Sequence, residues 1–159
     1  MTTLITVATV AATVGTGLVA GLMFAFSVAV LPGLRRLPPE RGAAAMRAMN
    51  AAILNPLFAL VFLGTAGASL VLVATAPVAA GPAGSGWRLA GGLGYLLGVI
   101  AVTFLVNVPR NQALDRADES GAAGAALWAD YLRTWTAWNH VRTLAGAAAT
   151  TVLTLGLLA

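Results

Sequence analysis

Residues 4–31 read LITVATVAATVGTGLVAGLMFAFSVAVL, a run that contains no ionisable side chain. A helix needs about 20 apolar residues to cross the hydrocarbon core of a bilayer, so this run is long enough to do so. Three further apolar runs follow, and none shows the alternation typical of strands. Since only helices and closed barrels satisfy every backbone hydrogen bond in lipid, the sequence predicts a bundle of membrane-spanning helices.

The predicted spans are Leu4–Leu31, Ile53–Ala76, Leu89–Val108 and Val141–Ala159. Pro32, Pro77 and Pro109 directly follow the first three, and proline is expected to end a helix because it lacks a backbone donor. The first run is expected to remain as a span, because no positive charge precedes it and it is longer than a signal peptide requires. The chain is therefore predicted to be a single all-α domain, residues 1–159, that forms an integral membrane four-helix bundle.

The composition supports a membrane protein and excludes several other classes. Hydrophobic residues make up 59% of the 159 residues and charged residues only 9%, whereas a soluble domain carries about 25% charged residues. The net charge of +4 does not indicate nucleic-acid binding, because the arginines form no basic stripe. The chain has no cysteine, which excludes disulfides, thiolate metal sites and a cysteine nucleophile.

The distribution of arginine predicts the orientation of the bundle. The first and third loops, with their flanks, hold every arginine except Arg88, which follows the second loop. Cytoplasmic loops carry the excess of positive charge. Loops one and three are therefore expected on the cytoplasmic side of a bacterial-type cytoplasmic membrane, and both termini outside.

Two segments outside the spans are also predicted to be helical. One begins near Pro38 and is expected to run into the second span with a kink at Pro56. The other, Leu127–Arg142, has amphipathic helical spacing and is expected to form a short interfacial helix before the chain turns into the last span. Asp115–Gly121 is expected to be a mobile polar loop.

Small residues recur at four-residue spacing, at Gly17 and Gly21 and again at Gly94 and Gly98. Such spacing lets helices approach closely. These close contacts are expected within one bundle, with contacts between copies of a homo-oligomer as the alternative.

Two polar clusters lie at the predicted cytoplasmic end. They are Asn107–Asn111, reading NVPRN, and Trp135–Thr143, reading WTAWNHVRT. Polar groups at membrane depth are costly and indicate function. By helical spacing, one face of the second cluster holds Trp135, Trp138, Asn139 and Arg142. The alternatives are a helix cap with interfacial arginines for the first cluster, and an interfacial tryptophan belt for the second.

His140 is the only histidine of the chain and the natural candidate for a general base, because histidine titrates near neutral pH. The alternative is a histidine that hydrogen-bonds a neighbouring helix. With one histidine and no cysteine, a protein-only metal site is not expected, and a haem held by His140 alone is a further alternative. Asn50 and Asn55 lie at the same end and either cap a helix or line a shared cavity.

The chain resembles a family of small membrane proteins, the anthrone oxygenase family (DUF1772), along nearly its whole length. The resemblance rests on Phe26–Pro32, Ala48–Asn50, Asn55–Phe58, Asn107–Asn111 and Trp135–Thr143. Characterised members oxidise anthrones to anthraquinones with dioxygen in aromatic polyketide pathways and are regarded as needing no metal or flavin. The resemblance therefore implies a cofactor-free monooxygenase, whose partners are the lipid bilayer, a hydrophobic aromatic molecule and dioxygen, with no nucleic acid.

The resemblance also implies roles for the polar clusters. His140 is the expected base, while Asn139, Asn107 and Arg142 are expected to stabilise the oxyanion and the peroxide. The expected substrate-binding residues are Trp135, Trp138, Asn111, Arg110, Asn55 and Asn50. Two other functions stay open: an accessory membrane subunit without an open cavity, and a carrier of lipophilic molecules with a pathway through the bundle.

Overall fold

The computed structural model describes residues 2–76, 82–117 and 121–159, which form five helices. These are α1 (α-helical Thr2–Ala25, π-helical Phe26–Val30 and α-helical Leu31–Leu34), α2 (Pro39–Ala52), α3 (Pro56–Thr75), α4 (α-helical Pro82–Tyr95, π-helical Leu96–Ala101 and Thr103–Asn107, and α-helical Val108–Arg116) and α5 (Gly121–Leu158). Residues 77–81, in the predicted second loop, and residues 118–120, in the predicted polar loop, lie outside the described residues.

Four of these helices are long and apolar enough to cross a membrane, which confirms the predicted bundle. The candidate spans are Thr3–Leu34, Pro56–Thr75, Gly84–Arg116 and Gly121–Leu158. Large apolar side chains on them, such as Leu60, Leu97 and Leu144, are exposed on the outside of the bundle. Apolar residues all round a helix are typical of a membrane span, so these side chains are suited to contact with lipid.

The amphipathic segment is part of the last span rather than a separate helix. Leu127–Arg142 lies within α5, which continues without a break for 38 residues. At 1.5 Å per residue, α5 is about 57 Å long, nearly twice the roughly 30 Å of a hydrocarbon core. The expected turn is absent because no proline interrupts α5; its first half extends beyond the core and packs against α2.

Pro32 and Pro109 do not end their helices, contrary to expectation. Each proline follows a π-helical segment, and the residue before the proline donates its backbone N–H to the carbonyl five residues earlier. Leu31 donates in this way to Phe26, and Val108 donates to Thr103. A proline clashes with the carbonyl four residues back and leaves it without a donor. The wider π-turn shifts the bonding by one residue, so both helices pass their prolines.

Pro56 lies at a break between two helices rather than at a kink. Helix α2 ends at Ala52, and the Oδ1 of Asn55 accepts a hydrogen bond from the backbone N–H of Phe58 at 2.9 Å, which caps α3. Helix α2 therefore lies across one end of the bundle as an independent element. Its fully buried Met46 belongs to the same apolar cluster as Leu114 of α4 and the aromatic side chains of α5.

The half of the bundle away from α2 is closely packed. Tyr95 of α4 is fully buried, and its hydroxyl donates to the carbonyl of Phe62 on α3 at 3.0 Å. A Cβ on Gly98 would clash with Ala145 of α5, which confirms a close approach at one of the predicted glycines. A Cβ on Gly21, in contrast, would meet no atom of another described element within 4 Å.

Candidate active site

A cavity of about 370 Å³ lies at the end of the bundle that carries α2. All four spans contribute to its walls, together with α2 and the connection between α2 and α3. Its floor includes Phe62, above the closely packed layer around Tyr95. Since small-molecule sites measure roughly 300–1,000 Å³, the cavity is large enough for a small organic ligand.

Aromatic rings form much of the cavity wall. Phe26, Phe58, Phe62 and Trp135 all line it. The rings of Phe58 and Phe62 stack with their centroids 5.2 Å apart. The ring centroids of Trp135 and Phe26 are 6.0 Å apart. Aromatic rings favour offset-stacked and edge-to-face contacts with other aromatic groups. These walls are therefore suited to a flat aromatic ligand.

The same wall carries a buried cation, Arg142, which is only 4% exposed. Its Nη2 donates to Oδ1 of Asn139 at 2.7 Å and its Nη1 to Oγ1 of Thr103 at 3.2 Å, while Nε has no hydrogen-bond partner in the part of the chain that the structure describes. Its guanidinium carbon lies 4.9 Å from the ring centroid of Trp135. Among the residues that the structure describes, no carboxylate pairs with Arg142. Because an unpaired buried cation is costly, this arrangement favours the binding of an anion.

Asn139 holds Arg142 in position. It is fully buried, and its Nδ2 donates to the main-chain oxygen of Met23 at 2.6 Å and to Oγ of Ser27 at 2.7 Å. Both acceptors belong to α1, so the carboxamide joins α1 to α5 and presents its oxygen to the guanidinium. Asn139 does not line the cavity and is therefore a positioning residue.

Asn111 fixes the orientation of the aromatic wall. Its Oδ1 accepts from the hydroxyl of Tyr131 at 2.9 Å and from Nε1 of Trp135 at 2.8 Å. Because the oxygen accepts two bonds, the amide nitrogen of Asn111 is the donor that remains for a ligand. The buried Nδ2 of Asn50, also on the cavity wall, has no hydrogen-bond partner in residues 2–76, 82–117 and 121–159. The wall therefore presents amide donors as well as the guanidinium.

The cavity opens beside the connection between α2 and α3, where Leu54 lines it and is 82% exposed. Two exposed polar residues of α4, Gln112 and Asp115, also line this mouth. Arg47 of α2 completes it and donates from Nη1 to the carbonyl of Leu114 at 2.9 Å, which ties α2 to α4. The mouth is therefore polar, whereas the interior is mainly apolar.

The anthrone oxygenase family model matches residues 46–152, two thirds of the chain. The chain belongs to the anthrone oxygenase family. The matched region supplies the walls from α2 to α5, whereas the part of the wall that comes from α1, including Phe26, lies outside it. No curated protein and no solved structure matches the chain. Family membership supports an oxygenase-like role on a small molecule.

The structure brings several residues of the predicted anthrone oxygenase site together. Arg142, Trp135, Asn111 and Asn50 line the cavity. Asn107 lies behind the wall, 1% exposed, and its Nδ2 donates to the main-chain oxygen of Trp135 at 3.4 Å. Asn107 thus supports the wall from behind, as Asn139 does.

The other predicted residues of the site lie outside the cavity. His140 is exposed and has no hydrogen-bond partner among the described residues, because one residue along a helix turns the side chain by about 100° from that of Asn139. Trp138 is 39% exposed on the flank of α5. Arg110 donates to the carbonyl of Val106 at 2.9 Å, and Asn55 is the exposed cap of α3.

Sequence reasoning missed Asp115, Gln112, Arg47 and the phenylalanines of this cavity. Asp115 was assigned to a loop because α4 was expected to end at Pro109. Once α4 is extended through Pro109, the four-residue spacing of Asn111 and Asp115 places both along one helix face, and both line the cavity. That spacing is the signal that identifies Asp115.

Proposed function

We propose that this protein is a membrane-embedded oxygenase that oxidises an anthrone-type polycyclic aromatic to a quinone with dioxygen. The observation that carries the proposal is the buried Arg142, which has no carboxylate partner among the described residues and lies at the wall of an aromatic-lined cavity. Such a site favours a flat ligand that becomes anionic. An anthrone meets both requirements, and membership of the anthrone oxygenase family supports the same substrate class.

The chemistry begins with loss of a proton from the methylene carbon of the anthrone, which gives a delocalised oxyanion. This anion transfers an electron to dioxygen, and recombination of the resulting radical with superoxide gives a peroxide anion at the former methylene carbon. The peroxide anion takes up a proton and becomes a hydroperoxide. Loss of water then produces the second carbonyl group. One oxygen atom of dioxygen enters the quinone and the other leaves as water. The proposal assigns no metal or flavin to these steps, as the resemblance to the family implies.

In this proposal Arg142 stabilises the oxyanion, and the amide nitrogen of Asn111 is a second donor. Preorganised donors in a site that excludes water stabilise developing charge strongly. Trp135 and the phenylalanines stack on the polycycle, whose oxygen and methylene carbon lie on opposite edges of its central ring. With the oxygen at Arg142, the methylene group faces away from the guanidinium. We propose that the methylene proton is lost towards the polar mouth, where the carboxylate of Asp115 can accept it. His140 takes no part in this step.

A second groove supports access from the bilayer. It measures about 270 Å³, lies between α1 and α3, and shares Leu22 and Phe58 with the wall of the cavity. Leu18 and Leu57, 58% and 71% exposed, line its outer part. A substrate dissolved in lipid could therefore enter this mainly apolar groove. Only the side chains of Leu22 and Phe58, which line both spaces, would separate it from the cavity. The closely packed half of the bundle below the cavity favours an enzyme over a carrier with a pathway through the bundle.

The test is oxygen uptake by the purified protein in detergent with a simple anthrone, with the metal content of the same sample measured. Uptake above the spontaneous rate is expected from the wild type. Arg142→Gln is expected to lower kcat by about 10²–10³-fold, as removal of one oxyanion donor does in other enzymes. Arg133→Gln is the matched control, because Arg133 is exposed and pairs with Asp130 at 2.7 Å, outside the cavity.

Each result has a distinct meaning. No uptake above the spontaneous rate with several anthrones would show that the assigned reaction is wrong. Full activity of folded Arg142→Gln would remove Arg142 from the mechanism. His140→Gln is expected to keep its activity, and a loss of turnover as large as that of Arg142→Gln would restore His140 as the base.

A further inference from the structure

A second cavity lies on a different side of the bundle, between the end of α1 and the first half of α5. It measures about 370 Å³. Its lining residues are Ser27, Leu31 and Pro32 of α1, Arg35 and Arg36 directly after α1, and Leu132 and Thr136 of α5. None of its lining residues lines the candidate active site. We refer to it as the α1–α5 groove.

Two guanidinium groups give the α1–α5 groove a strong positive charge. Arg35 and Arg36 both line it, and both side chains are exposed. Neither guanidinium group forms a hydrogen bond or ion pair with any described residue. They follow directly after Leu34, the last residue of the candidate span. The two charges therefore lie where an apolar helix leaves the membrane.

The floor of the groove is apolar. Leu31 and Leu132, 3% and 6% exposed, form it together with Pro32. Towards the middle of the span, α1 continues with the exposed side chains of Val28 and Phe24. The groove thus combines an uncompensated cationic rim with an apolar surface along the helix.

We propose that the α1–α5 groove binds an anionic phospholipid, with the headgroup phosphate at Arg35 and Arg36 and an acyl chain along α1. Arginine presents several N–H donors in a planar fork that matches phosphate oxygens. Basic pockets between membrane helices bind acidic headgroups in this way. A phospholipid satisfies both parts of the groove, whereas a free phosphate ion leaves the apolar floor uncovered.

The test is native mass spectrometry of the full-length protein in detergent, titrated with phosphatidylglycerol or with phosphatidylcholine. The wild type is expected to bind phosphatidylglycerol more tightly. Each surface arginine strengthens the attraction of acidic lipid about fivefold, so Arg35→Gln with Arg36→Gln is expected to weaken phosphatidylglycerol binding roughly thirtyfold. Arg133→Gln, which removes an exposed arginine outside the groove, is expected to bind like the wild type.

Three results would overturn the proposal. One is equal binding of the two lipids by the wild type, and another is unchanged phosphatidylglycerol binding by the double variant. The third is displacement of phosphatidylglycerol by millimolar inorganic phosphate, which would reveal a phosphate site rather than a lipid site. Thr136→Phe, which fills the groove and keeps both arginines, is expected to weaken binding as well, and so tests the groove if the double variant does not fold.

Discussion

Asn139→Asp changes the charge beside Arg142 with little change in side-chain shape. In the structure, Oδ1 of Asn139 accepts a hydrogen bond from Nη2 of Arg142 at 2.7 Å. An aspartate oxygen at this position would pair with the guanidinium and supply the negative charge that Arg142 lacks among its described partners. If Arg142 binds an anionic ligand, this substitution must weaken that binding.

The magnitude follows from the geometry. A ligand oxyanion and the new carboxylate would contact the same guanidinium, so their charges would lie about 5 Å apart. At an effective dielectric constant of about 20, two unit charges at this distance repel by about 3 kcal/mol, which corresponds to roughly a hundredfold weaker binding. The aspartate also loses the bonds that Nδ2 donates to Met23 and Ser27. Interhelical hydrogen bonds in membranes are worth about 0.6 kcal/mol each on average, so the bundle is expected to stay folded.

The assay compares two ligands of similar shape by equilibrium dialysis. One is a hydroxyanthraquinone at a pH at which its hydroxyl is ionised, and the other is unsubstituted anthraquinone, which is neutral. Asn139→Asp is expected to weaken binding of the anion about a hundredfold and to leave binding of the neutral ligand within a few-fold of the wild type. Asp130→Asn, which changes an exposed carboxylate outside the cavity, is the control. Equal affinity of the variant and the wild type for the anion would refute the reasoning, and so would an equal loss for both ligands.

Two further predictions concern packing and hydrogen bonding. Gly98→Val places side-chain atoms against Ala145 and is expected to lower the free energy of unfolding by about 1–3 kcal/mol, measured by denaturation in mixed micelles. Gly21→Val, at a position with no neighbour within 4 Å, is the control and is expected to unfold like the wild type. Tyr131→Phe removes one of the two hydrogen bonds to Oδ1 of Asn111 and is expected to cost about 1 kcal/mol in the same assay. Unchanged stability of this variant would show that the bond contributes nothing to the fold.

The spans could be predicted because lipid imposes one simple requirement, a long helix without ionisable residues, and residues 4–31 meet it visibly. Their ends could not, because each depends on contacts that the sequence does not display. The first half of α5 continues straight out of the span, and its Trp128 packs in one cluster with Met46 of α2. Likewise, Pro109 is expected to end a helix only if the hydrogen bonding before it is α-helical. The bonding there is π-helical, so the helix continues past Pro109.

The candidate site was predictable where the residue type and the helix face agree. The buried face of α5 carries Trp135, and it carries Asn139 and Arg142 four and seven residues further along the helix. His140 was selected for its chemistry and its place in the second polar cluster, but its position next to Asn139 turns it away from that face. The phenylalanines were missed for the opposite reason, because an apolar side chain in a span has the same sequence signature whether it faces lipid or a cavity.

The charge at position 142 links the sequence to the proposed chemistry. Every acidic residue of the chain, from Glu40 to Asp130, lies outside the four apolar runs, whereas Arg142 lies within the last one. The chain therefore has no carboxylate in its apolar runs to place at the depth of this cation, and the neutral amide of Asn139 is its partner instead. An apolar side chain of similar size would avoid the desolvation penalty of the guanidinium and would pack in the same space. The arrangement is thus unfavourable for folding alone, and the anionic ligand that we propose would bring to the cavity the negative charge that this cation lacks.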